Sequence, residues 1–182
     1  DSYAVLSLDF QRISSASFAT EGDFIQSLAR IIMDAKEFGN MPIPQQTFDA
    51  LAALNDAAAE KVRMDSLFRI FFRWCRDSEK PIVLMIDEVD AATNNQVFLD
   101  FLAQLRDSYI NRDTEGNTAF QSVILAGVTD IKNLRRRIRP EEAHRFNSPW
   151  NIAADFKVDM SFNAAEIAAM LEEYDSDHHT GM

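Results

Sequence analysis

The chain has 182 residues, of which 47% are hydrophobic and 26% charged, a composition typical of a globular protein with a sizeable core. Its net charge of −11 argues against an extended contact with the phosphate backbone of DNA or RNA. No apolar run approaches the roughly 20 residues that a membrane-spanning helix needs. The single cysteine, Cys75, has no partner for a disulfide, so we expect a protein of the reducing cytoplasm, without a membrane segment.

The first half of the chain predicts a strand followed by helices. Aliphatic content predicts the strand, and apolar side chains at helical spacing predict the helices. These elements cover residues 3–10, 21–38, 47–62 and 67–76. We expect Asp65 or Ser66 to cap the last of these helices. Its aromatic stripe, which includes Phe68 and Trp74, is assigned to core packing rather than to a cofactor site.

The second half alternates strands and helices. Continuous apolar runs predict strands, and a polar stretch over 111–118 predicts a surface loop. The predicted strands are 82–87, 122–128 and 155–160, and the predicted helices are 95–110 and 163–174. Asn163 and Glu166 have the spacing of a capping box at the start of the last helix. Strands separated by helices predict an α/β fold with a parallel sheet.

The most informative segment runs from Ile82 to Ile86 and is followed by Asp87 and Glu88. A continuous aliphatic run predicts a strand buried on both faces, as in parallel sheets covered by helices. The two carboxylates then lie at the carboxyl edge of the sheet, where open α/β sheets bind ligands. This arrangement is typical of a Walker B segment. The alternative is a core strand that ends in a solvated acidic turn.

Four segments together carry a resemblance to the AAA-like predicted ATPases of bacteria, which are close to the signal-transduction branch of P-loop NTPases. The segments are Val5–Phe10, Ile86–Asp90 continued by Asn94–Phe98, Ser122–Asp130, and Asn147–Ala153 followed by Met160–Phe162 and Glu166–Ile167. The resemblance spans nearly the whole chain. It implies a three-layer P-loop NTPase-like sheet flanked by helices, with residues 1–182 as the C-terminal part of an ATPase domain that uses ATP and Mg²⁺. It also implies that strand 82–87 lies between strands 3–10 and 122–128.

One essential motif of that family is not found in the sequence. A P-loop needs Gly-x-x-x-x-Gly-Lys-Ser/Thr, whose glycine amides and lysine hold the phosphates. The five glycines, at 22, 39, 116, 127 and 181, never precede Lys-Ser or Lys-Thr. Family order places the P-loop and its strand before Asp1. We therefore expect a fragment that is inactive alone, with a gap, a direct pairing or another chain between strands 122–128 and 155–160.

The resemblance also implies roles for individual residues. Asp87 would hold Mg²⁺ through water, and Glu88 would position or deprotonate the attacking water. Asp90 is expected to cap the next turn. Thr129 would be the polar sensor near the γ-phosphate, with Asp130 as the competitor for that role. A turn or a helix cap is the alternative for both Thr129 and Asp130.

A basic block follows at Arg135, Arg136, Arg137 and Arg139. By resemblance it could supply an arginine finger to a neighbouring subunit, since such a group stabilises charge on a transferred phosphoryl. The alternatives are a solvated helix face or a contact with nucleic acid, which the acidic balance disfavours. Two other functions therefore stay open, a protein-interaction module without nucleotide chemistry and a DNA-associated ATPase. The protein partner is unknown, and self-association is expected for a sheet that lacks a strand.

Overall fold

The computed structural model describes residues 2–38, 43–112, 118–127, 154 and 162–179. The chain divides into two compact units, Asp1–Ile152 and Ala153–Met182. The described residues of the first unit form three parallel strands, which are β1 (Ala4–Asp9), β2 (Ile82–Asp87) and β3 (Ser122–Leu125). Their spatial order is β1-β2-β3. The predicted α/β class with a parallel sheet is therefore confirmed, and so is the central position of β2.

Four α-helices connect the strands of this unit. They are α1 (Glu21–Phe38), α2 (Gln45–Asp56), α3 (Met64–Asp77) and α4 (Gln96–Ile110). The predicted helix over 47–62 ends early, because Ala57 is extended and the chain then forms only the short 3-10 helix Ala59–Lys61. The predicted bounds of α1 and α4 agree with the structure to within one residue.

Helix starts are stabilised by side chains near and far in sequence. At α1, Thr20 Oγ1 accepts a hydrogen bond from the Asp23 backbone N–H (3.2 Å) and donates one to the Asp23 carboxylate (2.6 Å). At α3 the prediction of Asp65 or Ser66 as the cap was wrong. The N-cap position is Arg63, and the carboxylate of Glu21 accepts the hydrogen bond from the Met64 backbone N–H. A distant side chain therefore satisfies one of the unpaired N–H groups at the start of α3.

The sheet is buried on one face only, within the part of the chain that the structure describes. Burial alternates along β2, where Ile82, Leu84 and Ile86 are covered. On the opposite face, Val5 is 46% exposed and Met85 is 37% exposed. The prediction that β2 is buried on both faces was therefore wrong. When sequential parallel strands are joined by crossovers of one hand, the connecting helices pack on the same side of the sheet.

The packed face has an aromatic core between the sheet and two of its helices. Phe10 follows β1 directly, and its ring lies 6.4 Å from the ring of Phe24 in α1 and 5.6 Å from that of Phe98 in α4. Phe101 of α4 also meets Phe24, at 5.5 Å. Edge-to-face contacts of this kind add to the hydrophobic effect of burying the rings. The carboxyl end of β1 is thereby fixed against α1 and α4.

The second unit contains one described helix, α5 (Ala164–His178). Asn163 accepts hydrogen bonds from the backbone N–H groups of Ala165 and Glu166, and the Glu166 carboxylate accepts one from the backbone N–H of Asn163. The predicted capping box is confirmed. The predicted strand 155–160 lies outside the described residues. Among the helices described in either unit, none is long and apolar enough to cross a membrane.

Candidate functional site at the carboxyl edge of the sheet

Two carboxylates lie side by side where β1 and β2 end. Asp9 and Asp87 are the last residues of their strands and are Cα partners in the parallel register. Neighbouring strands are about 4.8 Å apart, and partners in register point to the same face. Both side chains belong to the exposed face. Sequence reasoning missed Asp9, although the end of a predicted parallel strand was the signal that could have revealed it.

Each of these carboxylates is held by a nearby backbone N–H. Oδ1 of Asp9 accepts a hydrogen bond from Gln11 N–H (2.9 Å), and Oδ1 of Asp87 accepts one from Glu88 N–H (2.8 Å). Among the described residues, Oδ2 of neither group has a hydrogen-bond partner. The edge therefore presents two oriented, solvent-facing carboxylates. Hard oxygen ligands of this type suit Mg²⁺, which commonly keeps several of its waters and takes one or two carboxylates.

Glu88 has an unusual backbone conformation. Its φ of 55° and ψ of 40° lie in the left-handed region, which costs a residue with a side chain about 1–2 kcal/mol. This conformation turns the chain sharply from β2 into the 3-10 helix Val89–Ala91. The Glu88 side chain is half-buried and makes no capping hydrogen bond to that helix. Strained residues of this kind cluster at functional sites.

The segment after β3 holds the turn that contains Glu88. The Ala126 N–H donates to the Ile86 carbonyl (2.9 Å), and the Val89 N–H donates to the Ala126 carbonyl (3.1 Å). On the other side of the turn, Thr93 is buried, and its hydroxyl donates to the Asp90 carbonyl (3.0 Å). Hydrogen bonds with Ala126 on one side and with Thr93 on the other hold the turn, and these contacts maintain the left-handed backbone of Glu88.

A glycine permits this contact between β3 and the turn. A Cβ at Gly127 would lie 2.4 Å from Oδ2 of Asp90 and 2.9 Å from Cγ2 of Val89. Any side chain at position 127 would therefore force the turn or the end of β3 to shift. Gly127 belongs to the site because it allows close packing against the turn that carries Glu88.

The structure brings together only some of the residues predicted from sequence. Asp87 and Glu88 lie at the carboxyl edge of the central strand, as expected from the sequence. Thr129 and Asp130 lie outside the described residues, as do Arg135, Arg136, Arg137 and Arg139. The described part of the chain contains no group of three His, Cys, Asp or Glu side chains placed to hold a metal ion.

The donor atoms at this edge fit Mg²⁺, and its described residues Asp9, Asp87 and Glu88 carry no positive group for phosphate. Carboxylates alone repel a triphosphate, and no Gly-Lys-Ser/Thr loop occurs in the 182 residues. Comparisons of the chain with protein-family models, with curated proteins and with solved structures give no match.

Proposed function

We propose that this chain carries the Walker B half of an AAA-like P-loop ATPase, with its phosphate-binding loop on residues outside this sequence. One observation carries the proposal: Asp87 ends the central strand of three parallel strands, and the left-handed turn at the next residue, Glu88, is held by Ala126 just after β3. A buried structural turn would favour glycine at such a position. The presence of glutamate rather than glycine at this left-handed position supports a chemical role.

In this proposal the role of each residue follows from its position at the carboxyl edge of the sheet. Asp87, at the end of β2, would hold a Mg²⁺ ion through water, and that ion would neutralise charge on the nucleotide phosphates. Glu88, one residue further, accepts a proton from the attacking water or orients that water by hydrogen bonding. Thr129 or Asp130 contacts the γ-phosphate, and an arginine of the 135–139 block serves a neighbouring subunit.

Asp9 adds a charge that the sequence did not suggest. Its register with Asp87 places two negative charges on neighbouring strands of the same face. A divalent cation between or near them would relieve their repulsion. We propose that Asp9 would support a Mg²⁺ ion held at Asp87 by adding a second negative charge beside it.

The proposal is tested on a polypeptide that joins this chain to its preceding sequence. That sequence should contain a Gly-Lys-Ser/Thr loop within some tens of residues, and the joined protein should hydrolyse ATP with Mg²⁺. The 182-residue chain alone should not bind Mg-ATP in calorimetric titration at millimolar concentration, because its net charge of −11 and its carboxylate edge repel a polyanion. Micromolar binding by the isolated chain would place the site elsewhere.

A second function is favoured by the uncovered face of the sheet. Val5, Met85 and Ile124 form an exposed apolar patch, with 46%, 37% and 37% of each residue exposed. Parallel sheets are usually covered on both faces, so this face suits a protein surface. A protein-interaction module without nucleotide chemistry would bind its partner equally well when Asp87 and Glu88 are both changed to amides. An ATPase with the same two changes would lose its turnover of ATP.

A further inference from the structure

A second candidate site lies at the opposite edge of the sheet from Asp87. It is a cavity of about 530 Å³ between α3, α4 and the segment that leads into β3. Phe72 lines the cavity from α3, Tyr109 lines it from α4, and Ala119 lines it from the segment that leads into β3. Its volume falls within the roughly 300–1,000 Å³ of pockets that hold small molecules. Because residues 118–121 precede β3, the cavity opens at the amino end of that strand.

Aromatic rings in fixed orientations form the inner wall of the cavity. Phe71 lies 5.6 Å from Phe68 and 5.2 Å from Phe120, centroid to centroid, with edge-to-face geometry in both pairs. Phe71 and Phe120 are buried. Rings that brace one another lose little further freedom when a ligand binds. They offer preformed faces and edges for stacking a planar molecule.

The polar groups at the cavity favour an uncharged ligand with a hydrogen-bond donor. No Lys, Arg or His is among the described residues that line it. The guanidinium of Arg112 lies over the Tyr109 ring, 3.9 Å from its centroid. Asp107 contributes negative charge, and the Thr118 hydroxyl donates to the Phe72 carbonyl (3.0 Å), which leaves its oxygen able to accept. Among the described lining residues an anion would therefore find no counter-charge, and the nearby Arg112 guanidinium already stacks on Tyr109.

We propose that this cavity binds an uncharged aromatic small molecule that carries a hydroxyl or N–H donor. The aromatic wall stacks the ring, and the oxygens of Thr118 and Asp107 accept its hydrogen bond. This site is separate from the proposed ATPase chemistry, since the two lie at opposite edges of the sheet.

Cys75 provides a built-in reporter of occupancy. It is the only cysteine of the chain and it lines the cavity. Burial raises the pKa of its thiol to about 12, so the neutral sulfur contributes an apolar surface near pH 7. A molecule seated in the cavity would block reagents from reaching this thiol.

The test uses 2-naphthol as the probe and 2-naphthoate as its anionic counterpart. Calorimetric titration of the full chain near pH 7 should show one saturable site for 2-naphthol and at least tenfold weaker binding of 2-naphthoate. Ala119→Trp, which fills the cavity, should weaken 2-naphthol binding by at least tenfold. Ala53→Trp, at an exposed position of α2, is the matched control and should bind like the wild type.

If circular dichroism shows that Ala119→Trp does not fold, a second measurement still tests the proposal. Saturating 2-naphthol should slow alkylation of Cys75 by N-ethylmaleimide at least fivefold in the wild-type chain. The proposal is overturned if no saturable binding occurs up to millimolar concentration, or if the naphthoate binds equally well. Binding that leaves the Cys75 alkylation rate unchanged would also overturn it, because the probe would then lie elsewhere.

Discussion

Gly127 packs directly against Asp90, so closely that a Cβ on Gly127 would lie 2.4 Å from Oδ2 of the aspartate. This contact joins the second residue after β3 to the turn that carries Glu88. Since the same hypothetical Cβ would also lie 2.9 Å from Cγ2 of Val89, the contact involves a buried aliphatic side chain as well as a movable carboxylate.

Gly127→Ala should therefore destabilise the protein by about 1–3 kcal/mol, the usual range for an overpacked site. Denaturant unfolding measures this loss. Ala126→Ser adds one atom at the exposed neighbouring position and should change stability by less than about 0.5 kcal/mol. A double-mutant cycle of Gly127→Ala with Asp90→Ala should give a coupling energy above about 0.5 kcal/mol. Additive effects would show that the two residues do not clash.

We expect glutamate at position 88 to lower the stability of the protein relative to glycine. Glu88→Gly removes the Cβ from a left-handed residue, which saves about 1–2 kcal/mol, and adds about 0.5–1 kcal/mol of unfolded-state entropy. We expect a net gain of about 0.5–1 kcal/mol in the free energy of unfolding. Glu88→Ala keeps the Cβ and is the control, with no such gain. Equal stabilities for the two variants would mean that the turn at Glu88 is unstrained.

The cap of α3 distinguishes the structure from the prediction made from sequence. Glu21→Ala removes the acceptor of the Met64 N–H and should destabilise the protein by about 1 kcal/mol, as the loss of a helix cap does. Asp65→Ala removes only an exposed ion pair with Arg69 and should cost less than about 0.5 kcal/mol. Unfolding curves of the two variants decide between them. The reverse ranking would restore Asp65 as the cap.

Cys75 should react slowly in the folded state. Its pKa is raised by burial from the ordinary 9.0 to about 12, so at pH 8 the thiolate fraction is about a thousandfold lower than in the unfolded chain. Alkylation of native and urea-unfolded protein with N-ethylmaleimide measures the difference. A native rate equal to the unfolded rate would contradict the burial.

The same pKa makes stability depend on pH. The folded state holds the Cys75 proton more tightly, so this contribution is complete below pH 9 and is lost as pH rises toward about 12. Relative to Cys75→Ala, the wild-type protein should lose about 1 kcal/mol of unfolding free energy between pH 9 and pH 10. Parallel pH profiles for the two proteins would argue against a buried thiol.

Local sequence patterns were sufficient to predict most elements of the fold. The apolar spacing of α1 and the capping box of α5 are local signals, and both agree with the structure. The cap of α3 could not be predicted this way, because Glu21 lies 43 residues before Met64. The one-sided burial of β2 was missed because Val83 and Met85 are as apolar as the residues that are buried, and only packing distinguishes the two faces.

The candidate site was also predicted only in part, because some of its features are local in sequence and others depend on long-range contacts. Asp87 and Glu88 follow an apolar run directly, and their place at the carboxyl edge depends only on the direction of β2. The pairing of Asp9 with Asp87 depends on the register of strands 78 residues apart, where one step would move a side chain to the opposite face. The left-handed backbone of Glu88 is imposed by contacts with β3, and nothing in the local sequence indicates it.

The most direct test of the proposed ATPase role is ATP cleavage by Glu88→Gln in the polypeptide that includes the preceding sequence. Glu79→Gln, an exposed change of the same charge before β2, is the control. We predict that Glu88→Gln lowers single-turnover cleavage by about 100-fold or more and leaves Mg-ATP affinity within threefold, because it removes the proton acceptor and no phosphate contact. Glu79→Gln should match the wild type. Unchanged cleavage by Glu88→Gln would contradict the proposed role.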